Sequence, residues 1–202
     1  MTGLFGSVFD PPHNGHVALL REAHTHFGFD RVVVLVVADP GHKQVATDAS
    51  VRLGLAQAAF PGERVELDRH ARTVDMLRER RFDDPVFLVG ADQFAEFTSW
   101  KEPDGVLELA RLAVATRPGY PRKRLDGVLA ALERPGRVEF FEIEPLDVSS
   151  SDIRHRVARG EPIGGARAAR RRRGDRAPRP LPERRPPPLD LPQFQLLETN
   201  PT

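Results

Sequence analysis

Apolar residues along the chain alternate between two periods. Residues 2–5, with Val8 and Phe9 after them, read as a short buried strand and its exit. From Gly15 onward Val17, Leu20 and Phe27, with Leu19 and Ala23 beside them, recur at spacings of three and four, the period of a helix with one covered face. RVVVLVV at 31–37 is a continuous β-branched run, the pattern of a strand covered on both faces as in a parallel sheet. Turn-forming ADPGHK at 38–43 ends it. The same reading predicts a helix at 49–60, a strand at 64–67, a helix at 73–81 and a second central strand, PVFLVG, at 85–90. A helical region containing Trp100 follows, then a strand at 111–116, a helix at 122–132 and a strand at 137–143. SSSDIRHRVARG at 149–160 has a serine cap and a glycine stop, as a helix requires. Strands alternating with helices predict an α/β fold, a Rossmann-like doubly wound parallel sheet in a single domain over 1–165, with no internal repeat.

After Gly165 the pattern stops. Residues 166–202 are rich in Arg, Pro and Ala without an apolar period, and are expected to form a disordered or extended tail. This tail explains why a net charge of +1 is uninformative: residues 161–202 hold nine arginines against five acids, a net of +4, which leaves −3 on the remainder. The body therefore carries no electrostatic footprint for nucleic acid. The run Arg170–Arg173, without interleaved aromatics, would bind nucleic acid without sequence preference, so nucleic acid is not an expected partner.

Composition narrows the class further. A hydrophobic content of 40% suffices for a core, yet no apolar run approaches the roughly 20 residues of a membrane helix. MTGLFGSVFD lacks a basic segment followed by an apolar one, so no secretory signal is read. The chain has no cysteine, which removes disulfides, thiolate metal sites and a cysteine nucleophile. The expectation is a cytoplasmic protein with no membrane association.

Ligands of open parallel sheets bind at the carboxyl ends of the strands, which here carry Gly6–Asp10, Gly90–Asp92 and Asp147–Ser151. In GSVFDPPHNGH, residues 6–16, Gly6 and Ser7 let backbone N–H groups approach an anion, and Pro11 and Pro12 stiffen the turn. The helix starting near Gly15 directs its positive end to the same place, where His13 and His16 add donors. Ser149, Ser150 and Ser151 serve as a helix cap in the plain reading, and Trp100 as a core residue. His24, His26, His70 and His155 lack a ligand cluster and read as surface residues, and Asp10 has no assigned role.

GSVFDPPHNGH resembles the H-x-G-H signature of the nucleotidylyltransferase superfamily, and VSSSDIR at 148–154 is similar to its ISSTxIR segment. DPGHK at 39–43, RTVDML at 72–77, VGADQFAEFTSW at 89–100 and VATRPG at 114–119 resemble segments of the bacterial nicotinate-nucleotide adenylyltransferase family. The resemblance covers roughly residues 2–163. It departs after the second motif, where the family continues into a short loop and a closing helix and this chain runs from GEPIGG into its Arg/Pro tail. A shifted reading frame in GC-rich DNA would write such a tail.

The resemblance implies an enzyme that transfers AMP from ATP to nicotinic acid mononucleotide, giving deamido-NAD and pyrophosphate. Nicotinamide mononucleotide is the alternative acceptor. Pantetheine phosphate is a weaker one, which His13 and Trp100 oppose. It implies catalytic roles for His16, on the α-phosphate, and His13, on the triphosphate. It implies ATP or phosphate contacts for Gly6, Ser7, Phe9, Lys43, Gly90, Asp92, Ser149, Ser150, Ser151 and Arg154. Thr73, Asp75, Trp100 and Arg117 fall to the pyridine nucleotide. Mg2+ is expected to arrive with ATP rather than on protein ligands, and an oligomer is compatible with the family. An inactive nucleotide-binding relative and a nucleic-acid binder acting through the tail are the non-enzyme readings.

Overall fold

The computed structural model describes residues 1–41, 45, 47–118, 120–144, 146 and 148–163, without the Arg122 side chain. Lys43 and the tail at 166–202 lie outside the described residues. Six parallel strands form one sheet: β1 (Thr2–Ser7), β2 (Arg31–Val37), β3 (Arg64–Asp68), β4 (Pro85–Gly90), β5 (Arg111–Thr116) and β6 (Val138–Glu142), in the order β3-β2-β1-β4-β5-β6. The helices are α1 (Asn14–Phe27), α2 (Ala49–Ala59), α3 (Thr73–Glu79), α4 (Ala91–Phe94), α5 (Pro103–Leu109), α6 (Arg122–Ala130) and α7 (Ser150–Ala158). This is the doubly wound, Rossmann-like arrangement expected from the alternating periods. None of the described helices is long and apolar enough to cross a membrane.

The two-residue period of the strands divides the core. Leu4 lies beside Val33 and Phe87 in the sheet, and these side chains join Val89, Leu112 and Val114 in a cluster under α3, α4, α5 and α6. Their neighbours Phe5, Val34 and Leu88 point to the other face, where Leu19, Leu20 and Ala23 of α1 and Ala56 of α2 cover them. Both faces are therefore dry, which is why the central strands read as uninterrupted β-branched runs. Gly28, at φ 63°, stops α1 by turning its N–H back to the His24 carbonyl, a conformation that favours glycine.

Several expected bounds shift, among them the helix at 73–81, which ends at Glu79, and the strand at 137–143, which spans Val138–Glu142. The helical region after β4 is broken: α4 spans four residues, and a 3-10 turn at Phe97–Ser99 leads to Trp100. The helix expected to reach 132 ends at Ala130, and Ala131 and Leu132 turn back onto the Val128 and Leu129 carbonyls.

The topology places the site. The chain leaves β1 for the α1 face of the sheet and leaves β4 for the opposite face, although the two strands are neighbours. Their carboxyl ends diverge around a crevice, and Gly6–Ser7 and Gly90–Asp92 stand at its edges.

Candidate active site

The β1–α1 loop brings the two motif histidines into contact. His13 is the N-cap of α1, and its carbonyl accepts from the N–H groups of His16, at 2.8 Å, and Val17, at 3.2 Å. The His13 N–H donates to His16 Nδ1 at 3.2 Å. The imidazoles stack with centroids 3.8 Å apart and planes at 29°. The stack explains the glycine between them, because a Cβ at Gly15 would stand 3.0 Å from the His13 ring. At Gly6 a Cβ would stand 3.0 Å from the Phe87 ring.

These contacts set the protonation of His16. A backbone N–H only donates, so His16 Nδ1 bears the lone pair and the proton of the neutral ring sits on Nε2. Burial, reinforced by the neighbouring His13, pushes the His16 pKa down to about 3. Burial also lowers that of His13, whose Nδ1 is buried with no partner among the described residues. Near neutral pH His16 is thus an uncharged ring offering one Nε2–H donor.

The second motif docks onto the same loop. Ser149 caps α7 by accepting from the Asp152 N–H at 3.1 Å. Ser150 Oγ donates to the Pro11 carbonyl at 2.8 Å. Arg154 Nη1 donates to the Asp10 carbonyl at 2.5 Å and stands 4.0 Å from its carboxylate, while Nη2 donates to Ser151 Oγ at 3.1 Å. Asp10, given no role from sequence, is buried and forms the seat for Arg154. The N-termini of α1 and α7 consequently meet at one loop, where oriented N–H groups favour an anion.

Beside this junction lies a cavity of about 460 Å3. Gly6, Ser7, His13 and His16 line it from the first strand end, Gly90 and Asp92 from the fourth, and Arg117 from the fifth. Sequence reasoning missed Tyr120 and Glu144, which also line it. The Tyr120 hydroxyl donates to Asp92 Oδ1 at 3.1 Å, and burial, followed by Asp92, raises its pKa. As the only tyrosine in the chain, directly after the ATRPG segment, it offered a signal.

Other expected residues stand apart from this cavity. Ser149, Ser150, Ser151 and Arg154 do not line it; of the second motif only Val148 does. Thr73 and Asp75 open α3, and Asp75 is bound by Lys101 Nζ at 2.8 and 3.0 Å, which holds its carboxyl below the usual range. Trp100 is half-buried, with its ring 5.2 Å from Phe97 and 6.3 Å from Phe87 in edge-on contacts, so the core reading and a partly open ring both hold. The Phe9 side chain faces the core, so a ligand contact from this residue falls to its backbone. Its side chain is 1% exposed, packed 5.4 Å from Phe5, 5.5 Å from Phe60 and 5.0 Å from His16, so the ring supports the histidine. His70 is likewise no open surface residue: Nδ1 meets Asp68 at 2.6 Å and Nε2 meets Glu79 at 3.0 Å. Arg52, wholly buried on α2, was also missed, although it shares a helical face with Ala56 and Phe60. Among the described residues no group of three or more His, Asp or Glu side chains is placed to hold a metal ion.

Residues 4–156 match the cytidylyltransferase-like family model. A Rubrobacter xylanophilus protein named "Probable nicotinate-nucleotide adenylyltransferase" is 35% identical over 176 residues, covering 80% of this chain and 82% of its own. Proteins of the same name from Frankia alni, at 37% over 172 residues, and Thermus thermophilus, at 35% over 173, each have 88% of their length covered, against 78% and 80% of this chain. Among solved structures, Plasmodium falciparum nicotinic acid mononucleotide adenylyltransferase complexed with NaAD shares the fold, with a TM-score of 0.62 at 15% identity over 80% of this chain and 86% of that one. The same protein complexed with APC gives 0.60. The chain therefore belongs to the cytidylyltransferase-like family and, within it, to the nicotinate-nucleotide adenylyltransferases.

Proposed function

We propose that this protein transfers AMP from ATP to nicotinic acid mononucleotide, forming deamido-NAD and releasing pyrophosphate. Family membership supports the reaction. The observation that carries it to particular atoms is the junction of the two motifs, Ser150 on Pro11 and Arg154 on Asp10, beside the stacked histidines.

In this reading a phosphate oxygen of the mononucleotide attacks the α-phosphorus of ATP. The bond from that phosphorus to the bridging oxygen of the β-phosphate breaks, and pyrophosphate leaves with the electron pair. No covalent protein intermediate is needed, so the protein's work is positioning and charge stabilisation. The His16 Nε2–H is the donor for an α-phosphate oxygen, and it acts without first having to lose a proton. We assign His13 and Arg154 to the β- and γ-phosphates, since the guanidinium uses only part of its five-donor capacity on Asp10 and Ser151. Gly90 and Asp92 flank the adenosine, with Tyr120 fixing the Asp92 carboxylate. Trp100, Thr73 and Arg117 serve the pyridine nucleotide. Asp75 acts through Lys101, since its carboxylate is already paired.

The donors at this site are imidazole, hydroxyl, guanidinium and backbone N–H groups, which suit phosphate oxygens. We accordingly assign Mg2+ to the incoming ATP, where it neutralises phosphate charge. A chain without cysteine suits a reaction in the reducing cytoplasm.

The test is the fate of label. With ATP labelled at the α-phosphate, the label should pass to a dinucleotide, and γ-label should appear in pyrophosphate. Label from the α-phosphate released as free AMP, with no dinucleotide, would overturn adenylyl transfer.

A further inference from the structure

Arg52 is a charged residue in the middle of α2 with 1% of its surface exposed. Its guanidinium is held by main-chain carbonyls. Nη1 donates to Val8 at 2.7 Å and Val37 at 2.8 Å, Nη2 to Ala38 at 2.9 Å, and Nε to Thr47 at 3.0 Å. These carbonyls come from three separate segments: the exit of β1, the exit of β2 and the approach to α2. Burying a charge is costly even when it is fully hydrogen-bonded, and an apolar side chain fills such a space at lower cost. What an apolar residue cannot do is hold three backbone segments at fixed separations with a rigid planar fork.

The clamped Val8 carbonyl is one bond from Phe9, which takes φ 52°. That left-handed conformation is disfavoured for a bulky residue and persists where neighbours impose it. Here it turns the Phe9 ring inward, where it packs edge-on against His16 with centroids 5.0 Å apart. A continuous path thus runs from the Arg52 guanidinium through the Val8 carbonyl and the Phe9 ring to His16.

We propose that Arg52 is a positioning residue for adenylyl transfer, fixing the exit of β1 so that Phe9 holds the His16 ring in its working place. The inference rests on the proposed function for the word transfer, but its structural half does not. Arg52 touches no reacting atom; it acts through the loop.

The test uses Arg52→Lys, which keeps a buried cation but loses the planar fork. Two readouts are taken below its melting temperature. The first is steady-state kinetics with ATP and nicotinic acid mononucleotide, where kcat should fall about 10- to 100-fold with the KM for ATP little changed. The second is the NMR resonance of the His16 ring, which should move while those of His26 and His155 stay. This second readout needs no substrate, so it decides the Arg52–His16 link even if the wild-type protein fails to make deamido-NAD. A lowered melting temperature with unchanged kcat and an unmoved His16 resonance would overturn the proposal and leave Arg52 a purely structural residue. If Arg52→Lys does not fold, Phe9→Leu breaks the same path one step later and is read in the same way. An unmoved His16 and unchanged kcat there overturn the proposal equally.

Discussion

Ser150 and Pro11 are 139 residues apart in sequence and 2.8 Å apart in space, the serine hydroxyl donating to the proline carbonyl. With Arg154 on Asp10, this contact brings two helix N-termini to one loop, the candidate site for the triphosphate. Arg154→Ala should raise the KM for ATP and lower kcat/KM by about 10- to 100-fold, the range for losing a charge-assisted contact to phosphate. Loss of its bonds to Asp10 and Ser151 predicts a modest fall in melting temperature as well. Steady-state kinetics beside thermal unfolding separates the two effects.

His16 offers a cleaner dissection because its two ring nitrogens have different duties. In His16→Asn the side-chain oxygen can still accept from the His13 N–H, but the donor at the Nε2 position is gone. The variant should fold and lose about 100- to 1000-fold in kcat, the cost of removing one donor to developing charge. A kcat within a few-fold of wild type would refute the assigned role.

The same residue makes stability depend on pH. His16 has a folded pKa of about 3 against an ordinary value of 6.5, so the unfolded chain binds a proton that the folded one refuses. Its contribution is complete above pH 6.5 and is lost as pH falls toward 3, at a slope of about 1.4 kcal/mol per pH unit. Urea unfolding at pH 7 and pH 5 should show a larger loss for wild type than for His16→Asn. Equal losses would contradict the buried neutral ring.

His70 should act in the opposite sense. Asp68, then Glu79, raise its pKa above the ordinary 6.5. Its contribution is complete below 6.5 and fades as pH rises through the raised value. His70→Gln should therefore destabilise the protein more at pH 5.5 than at pH 8.5, measured as the shift in urea midpoint.

On the acceptor side, Trp100→Ala should raise the KM for nicotinic acid mononucleotide about tenfold while leaving that for ATP unchanged, consistent with loss of a stacking face. A change confined to the KM for ATP would move Trp100 to the other subsite.

The legible parts of the sequence were those where one local rule dominates. Residues 31–37, 85–90 and 111–116 form strands with the expected bounds because burial on both faces leaves few polar choices. His13, Gly15 and His16 stood out because their contacts fall within four residues, down to Gly15 against the His13 ring, whereas Gly6 answers the distant Phe87 ring. The inward ring of Phe9 was not legible, because its left-handed backbone and its packing on Phe60, 51 residues away, leave no local mark in the sequence. Arg52 was passed over for a related reason. Its partners are main-chain carbonyls of Val8, Val37 and Ala38, and a backbone acceptor leaves no mark in the sequence. Asp10 gained its role only when α7 closed onto the loop from 144 residues away.

The most direct measurement is the identity of the product. Purified protein with ATP and Mg2+ is given nicotinic acid mononucleotide, nicotinamide mononucleotide or pantetheine phosphate in separate reactions, and the products are weighed by mass spectrometry. Deamido-NAD should form in the first reaction at the highest rate and disappear in His16→Asn. A folded protein that adenylylates none of the three, or prefers pantetheine phosphate, would contradict the assignment.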